Sequence, residues 1–176
     1  MKILDFPRTR QSFDYDCGSK ALQAMLLYYN IEVRIDRLIK QTKNNNHDGT
    51  SIPNILDVIK HYGLKSDSST MNISDIKNYI NDDIPVIISL QAWTNNKDVD
   101  WKNNWDDGHY ADAIGYDDEN LIFMDPSCFY RTSLSYENLM ERWHDIGSDG
   151  TKYLQHGIAI FGKEPKYKSI KIIPMD

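Results

Sequence analysis

The chain has 176 residues, of which 40% are hydrophobic, and carries a net charge of -6. A chain of this length predicts a single domain with its own core, and this hydrophobic content excludes a disordered chain. The negative charge and the lack of any cluster of Lys and Arg argue against a nucleic-acid partner. No apolar stretch approaches the roughly 18 residues of a membrane span, and the N-terminus lacks the apolar core of a signal peptide. We therefore expect a cytoplasmic protein without a membrane segment.

The first half of the chain predicts helices, because its apolar residues recur at helical spacing and its polar residues fit helix caps. The predicted helices are Cys17 to Tyr29, Ile35 to Gln41, a third that Thr50 or Ser51 caps and Gly63 ends, and a fourth over "NISDIKNYINDD" with Asn72 or Ser74 as cap.

After Pro85 the pattern changes to β-branched runs that are typical of buried strands. The predicted strands are "VIISLQ", "HYADAIGY", "LIFMD" and "HGIAIFGK", with an edge strand at "YKSIKII" and a helix over "YENLMERWHDI" before the last two. Helices followed by a mostly antiparallel sheet indicate an α+β fold, in which two layers can meet along a cleft.

Cys17 stands where a thiol becomes a nucleophile. It opens the first predicted helix, and the free N–H groups and macrodipole of a helix start favour the thiolate. Gly18 permits the close approach of the backbone or of a substrate. Asp14 and Asp16 flank the cysteine, so their charges must be turned away or neutralised if the thiolate is to form.

A cysteine nucleophile needs a base, a group that orients the base, and donors for an oxyanion. His109 begins one predicted strand and Asp125 ends the next, so a tight hairpin can bring the two side chains together. We expect Asp125 to accept the Nδ1–H of His109, which leaves Nε2 for Cys17. The backbone N–H of Cys17 and the amide of Gln11 are the candidate oxyanion donors.

The motif "Q-x5-C-G" before a helix, followed by "GHY" on a strand and "DP" at the end of the next, resembles the papain-like cysteine peptidases. More narrowly it is similar to the double-glycine-leader (bacteriocin-processing) peptidases and their freestanding relatives. The resemblance implies a papain-like fold and a peptide or protein substrate. It also implies Cys17 as nucleophile, His109 as base, Asp125 as orienting residue and Gln11 in the oxyanion hole. We expect residues 1–176 to form one such domain that needs no cofactor. Asp112 departs from the family, because it interrupts a strand that is usually apolar.

Substrate contacts are predicted next to these residues. Gly18 adjoins Cys17, and the segment from Trp93 to Gly108 ends beside His109. Its tryptophans, Trp105 among them, are either loop anchors or the wall of a substrate groove.

Other readings of the same residues stay open. The site also fits an acyl transferase or deamidase, because the group that attacks the thioester decides between them. A peptide-binding module that has lost catalysis is the third alternative. Cys128 is expected to be an ordinary free thiol, unbridged to Cys17, because two cysteines in a cytoplasmic chain do not make a disulfide scaffold. The histidines show no metal-ligand spacing, and "DVDWKNNWDDG" lacks the glycine and final glutamate of a calcium loop.

Overall fold

The computed structural model describes residues 1–175. Within them the chain forms helices and strands in this order: β1 (Lys2–Ile3), α1 (Cys17–Tyr28), α2 (Ile35–Gln41), α3 (Ile52–His61), β2 (Lys65–Thr70), α4 (Ile73–Asn81), β3 (Val86–Gln91), β4 (Gly108–Tyr116), β5 (Asn120–Met124), β6 (Arg131–Ser135), α5 (Tyr136–Arg142), β7 (His144–Ile146), β8 (Lys152–Leu154) and β9 (His156–Phe161).

The caps that the sequence left open are decided by hydrogen bonds. Ser51 caps α3, because its hydroxyl accepts the N–H of Asn54 at 3.4 Å. Asn72 caps α4 in a reciprocal capping box: its side chain accepts the N–H of Asp75 at 3.1 Å, and the Asp75 carboxylate accepts the N–H of Asn72 at 2.8 Å.

The large sheet is antiparallel in every pairing, with the order β2-β9-β3-β4-β5-β6 and β1 paired to the far end of β4. The last strand of the chain therefore lies inside the sheet, between two strands from its first half. β7 and β8 form a separate hairpin.

Helix α1 and the central strands form the core of the molecule. The fully buried Leu22, Met25 and Leu26 of α1 pack in one cluster with Ile87 and Ile88 of β3. Helix α1 also packs against β4, and the start of the helix meets the start of the strand, because a Cβ on Gly18 would lie 3.0 Å from Tyr110 Cδ2.

The edge strand and the long last helix predicted from the sequence are wrong. Residues 167–173 form no strand, and the isoleucines there are exposed because no core lies beneath them. Helix α5 ends at Arg142 because Trp143 leaves the helical conformation to bury its indole, whose Nε1–H donates to the carbonyl of His156 at 3.0 Å. The polar edge strand β2 could not be predicted, because its residues show no apolar alternation.

Candidate active site

Cys17 is the first residue of α1 and is half-buried. Its backbone N–H has no intrahelical carbonyl to bind, because the first N–H groups of a helix have no partner within it. A side chain at Gly18 would place its Cβ 2.9 Å from Thr50 Cβ and 3.0 Å from Tyr110 Cδ2. Gly18 therefore lets the start of the helix pack closely against these two residues.

The two aspartates beside Cys17 differ in their environment. Asp16 is fully buried, and its carboxylate accepts the backbone N–H groups of Ser12 and Phe13 at 3.1 to 3.2 Å. Its charge is thus turned into the loop that precedes the helix. Asp14 is exposed and lines the cleft into which Cys17 opens.

His109 and Asp125 form a buried pair. His109 Nε2 lies 2.8 Å from Asp125 Oδ1, and both side chains are 7% exposed. Our assignment of Nδ1 to this bond is wrong, and the strand register explains why. Asp112 lies opposite Met124, which places His109 diagonally from Asp125 on one face of the sheet, so that the tip of the ring must reach across. Nδ1 is then the nitrogen left free for Cys17, whose proximity contributes to the pKa of the ring.

These contacts favour the charged form of His109. Burial by itself lowers the pKa of His109, but the hydrogen bonds to Asp125 and Cys17, together with the charges of both partners, raise that pKa to about 10. Burial raises the pKa of Asp125, yet its bonds to His109, the N–H of Ser127 and Trp93 bring that pKa below its ordinary value. At neutral pH the pair is therefore an imidazolium beside a carboxylate.

Gln11 is held beside the same turn. Its backbone N–H donates to the carbonyl of Pro126 at 2.8 Å, and its side-chain Oε1 accepts the hydroxyl of Ser127 at 3.0 Å. Its Nε2 donates one hydrogen to the carbonyl of Phe13 at 3.0 Å, which leaves the second amide hydrogen for another acceptor.

The cleft beside Cys17 has a volume of about 480 Å³ and is strongly acidic. Among the described residues that line it there is no Lys or Arg, whereas five are aspartates: Asp14, Asp48, Asp106, Asp145 and Asp149. Asp145 is the most constrained of them, because its carboxylate accepts the hydroxyl of Ser89 and the amide of Gln91. Burial nevertheless raises the pKa of Asp145. The sequence analysis missed this residue because it assigned the segment to a helix.

Of the four residues predicted to contact substrate, two line the cleft beside Cys17 and two do not. Trp105 and Gly108 line the cleft, and a Cβ at Gly108 would lie 2.6 Å from Asp145 Oδ1. Gly18 does not border the cleft but lies buried beneath it. Trp93 borders a second, smaller cavity of about 170 Å³ on the far side of His109 and donates to Asp125.

Asp112 lies fully buried on β4, and neither of its carboxylate oxygens has a hydrogen-bond partner among the described residues. Burial raises the pKa of Asp112 well above its ordinary value, and the negative charge of Asp125 adds to that rise. Burial therefore favours the protonated, neutral form of this carboxyl.

Three further features complete the description of residues 1–175. Cys17 and Cys128 are free thiols. No group of three or more His, Cys, Asp or Glu side chains converges there in a way that could hold a metal ion. None of the helices that the structure describes has the length and apolarity needed to cross a membrane.

Solved structures share this fold. The chain is similar to the peptidase domain of Streptococcus ComA, a bi-functional ABC transporter involved in a quorum sensing pathway, with 21% identity, 88% of this chain and 97% of that chain covered, and a TM-score of 0.65. A C39-like peptidase from Bacillus anthracis has 18% identity, 94% and 98% coverage and a TM-score of 0.67. A double glycine motif protease from an AMS/PCAT transporter, in complex with the leader peptide, has 16% identity, 91% and 94% coverage and a TM-score of 0.63.

At these identities the likeness carries the fold alone, and the predicted α+β, papain-like architecture is confirmed. A comparison with curated proteins finds no match. The family model described as Peptidase_C39 like family matches residues 3–151, which is most of the chain. The predicted resemblance and the predicted enzyme class are therefore confirmed, and the chain belongs to the Peptidase_C39 like family of cysteine peptidases.

Proposed function

We propose that the protein cleaves a peptide or isopeptide bond with Cys17 as nucleophile, His109 as base and Asp125 as orienting residue. The observation that carries the proposal is the His109 ring, buried between the Asp125 carboxylate and the Cys17 thiol, with a pKa raised to about 10. A histidine that holds its proton at neutral pH beside a thiol favours the thiolate–imidazolium pair that cysteine peptidases use.

The chemistry follows from this pair. The Cys17 thiolate attacks the carbonyl carbon, and the developing oxyanion is received by the Cys17 N–H and the free amide hydrogen of Gln11. His109 gives its Nδ1 proton to the leaving amine, and a thioester remains on Cys17. His109 then takes a proton from a water molecule that attacks the thioester, and the acid product leaves. Asp125 stays ionised throughout and holds Nε2–H, as orienting carboxylates do in such triads.

The substrate is proposed to be a peptide. The cleft beside Cys17 is an open groove of about 480 Å³, and one structure of the same fold is a protease in complex with its leader peptide. We also propose that residues 1–176 form one peptidase domain. Strand β9 lies beyond the segment that the family model matches, but it pairs with β2 and β3 within the sheet.

Brief, sub-stoichiometric treatment with iodoacetamide followed by mass spectrometry tests the site without a substrate. We expect Cys17 to react much faster than Cys128, whose sulfur has only the backbone N–H of Tyr130 as a hydrogen-bond partner among the described residues. Cys128→Ser is the matched control and should leave the fast reaction unchanged. Equal reactivity of the two thiols would contradict the proposed ion pair and favour a peptide-binding module without catalysis.

A second measurement separates hydrolysis from the other acyl-transfer reactions. Peptides are incubated with the protein in water enriched in ¹⁸O, and the new carboxyl group is examined by mass spectrometry. Incorporation of ¹⁸O at an internal peptide bond supports the peptidase. Transfer to an added amine, or loss of ammonia from a glutamine side chain, would instead assign a transferase or a deamidase to the same thioester.

A further inference from the structure

Both oxygens of the Asp125 carboxylate accept hydrogen bonds, and the one to Oδ2 comes from a residue outside the proposed triad. Oδ1 accepts His109 Nε2 and the backbone N–H of Ser127, both at 2.8 Å. Oδ2 accepts the indole Nε1–H of Trp93 at 2.9 Å, and among the described residues it has no other donor. Because Asp125 is only 5% exposed, water cannot easily replace this bond.

The backbone conformation of Trp93 indicates a functional constraint on this residue. Its φ is +63°, in the left-handed region that non-glycine residues rarely adopt. Its side chain is 56% exposed, so burial does not explain why the backbone is held there. The residue follows β3 by two positions, directly after Ala92, whose N–H is anchored to the carbonyl of Asp107 at 2.9 Å. Residues held in strained conformations cluster at functional sites, where the surrounding structure uses the side chain they present.

We propose that Trp93 is a positioning residue that acts through Asp125. Its indole N–H fixes the carboxylate with Oδ1 toward His109 Nε2, which presents Nδ1 to Cys17. The same N–H stabilises the ionised form of Asp125 in a buried place, and its ring borders the cavity behind His109. This role is distinct from the substrate contact predicted for Trp93. The inference rests on the proposed function, since it requires that His109 and Cys17 form the reactive pair.

The test needs no substrate. The rate of Cys17 alkylation is measured from about pH 3 to about pH 8 in wild type and in Trp93→Phe, which keeps an aromatic ring but removes the donor. We expect the rate near neutral pH to fall by about three- to tenfold, which is less than the full loss of a hydrogen bond to a charged group would produce, because Trp93 acts on Cys17 only through Asp125 and His109. The acid limb of the profile should move to higher pH, because Asp125 then becomes easier to protonate.

Two controls separate positioning from a general effect on structure. Trp101→Phe makes the same chemical change in the same loop, where the indole packs on the Arg142 guanidinium at 4.0 Å, and should leave the profile unchanged. In an Asp125→Ala background Trp93→Phe should have almost no further effect, because the two residues act as one unit.

The possible results distinguish a failure of this inference from a failure of the proposed function. An unshifted profile in Trp93→Phe would overturn the inference while fast alkylation of wild-type Cys17 preserved the proposed function. An undiminished effect of Trp93→Phe in the Asp125→Ala background would show that Trp93 does not act through Asp125. A wild-type Cys17 no more reactive than Cys128 would overturn the proposed function and this inference with it.

Discussion

Asp112→Asn should stabilise the protein increasingly as the pH rises. Asp112 is fully buried on β4, without a hydrogen-bond partner among the described residues, and burial together with the charge of Asp125 keeps its pKa well above the ordinary value. The folded state therefore holds a proton that the unfolded state releases near its unperturbed pKa of about 3.9. The amide of asparagine has nearly the same shape and carries no such proton.

The sign and size of the effect follow from linkage. Between about pH 4 and the folded pKa, the unfolded state binds fewer protons than the folded one, so the free energy of unfolding falls as the pH rises. The slope is about 1.4 kcal/mol per pH unit for one group, so the advantage of Asp112→Asn should grow by about 1.4 kcal/mol for each unit until the folded pKa is reached. The pKa of His109 is raised in the folded state. The stability that its charge contributes is therefore fully present below about pH 6.5 and is lost as the pH rises through about 10. That contribution is common to both proteins and largely cancels in their difference.

Urea unfolding monitored by tryptophan fluorescence at about pH 5 and about pH 7 measures this difference. Asp117→Asn is the matched control. Asp117 is half-buried at the turn between β4 and β5, and the backbone N–H groups of Glu119 and Asn120 lower its pKa, so it is ionised in both states across this range and its effect should not change with pH. An Asp112→Asn difference that stays constant between the two pH values would refute the reasoning, because the buried carboxyl would then have to be ionised when folded.

Three further predictions concern the site and its cleft. Gly18→Ala should lower the free energy of unfolding, measured by urea denaturation, by about 1 to 3 kcal/mol, because the new Cβ would press on Thr50. This cost should exceed the gain from alanine as the better helix former. Unchanged stability would contradict the close packing. Gln11→Ala should reduce turnover by about a hundredfold with little change in Cys17 alkylation, which builds no oxyanion; full turnover would mean that another group is the donor. Peptides with basic residues should have a higher kcat/KM than acidic counterparts, by a ratio that shrinks between about 0.01 and about 0.3 M salt, because screening weakens the field of the cleft carboxylates. A ratio independent of salt would refute this electrostatic preference.

Local signals in the sequence were enough to predict the positions of the first four helices and of the two strands that carry His109 and Asp125. Helix α2 has the predicted bounds, and the predicted first helix differs from α1 by one residue at its end. The reason is that caps and apolar spacing are local properties. The hairpin that joins Asp125 to His109 was predictable for the same reason, since a short turn between two apolar strands leaves few alternative pairings.

What the sequence could not predict depends on register and on contacts distant in the chain. The choice of Nε2 for the Asp125 bond follows from a diagonal position across β4 and β5, and a shift of one residue would have placed His109 on the other face. Trp93 lies 32 residues from Asp125, so no local pattern connects them. Asp145 lines the cleft because α5 ends at Arg142, where the backbone turns out of the helix and the indole of Trp143 is buried.

The charges of the site explain why its donors matter. In the reactive state that we propose, one imidazolium on His109 lies between two anions, the Cys17 thiolate and the Asp125 carboxylate, in a buried region. A third negative charge on the nearby Asp112 would be costly there, and its protonation removes it. The two anions that remain are stabilised by fixed donors instead of by added cations. Cys17 lies at the start of α1, where the helix dipole favours negative charge, while the N–H groups of Ser127 and Trp93 bind Asp125. Removing any one of these donors leaves buried negative charge with less compensation. Trp93 is half exposed and lies outside the proposed triad, but for this reason it should still affect the reactivity of the Cys17 thiol, which it does not touch.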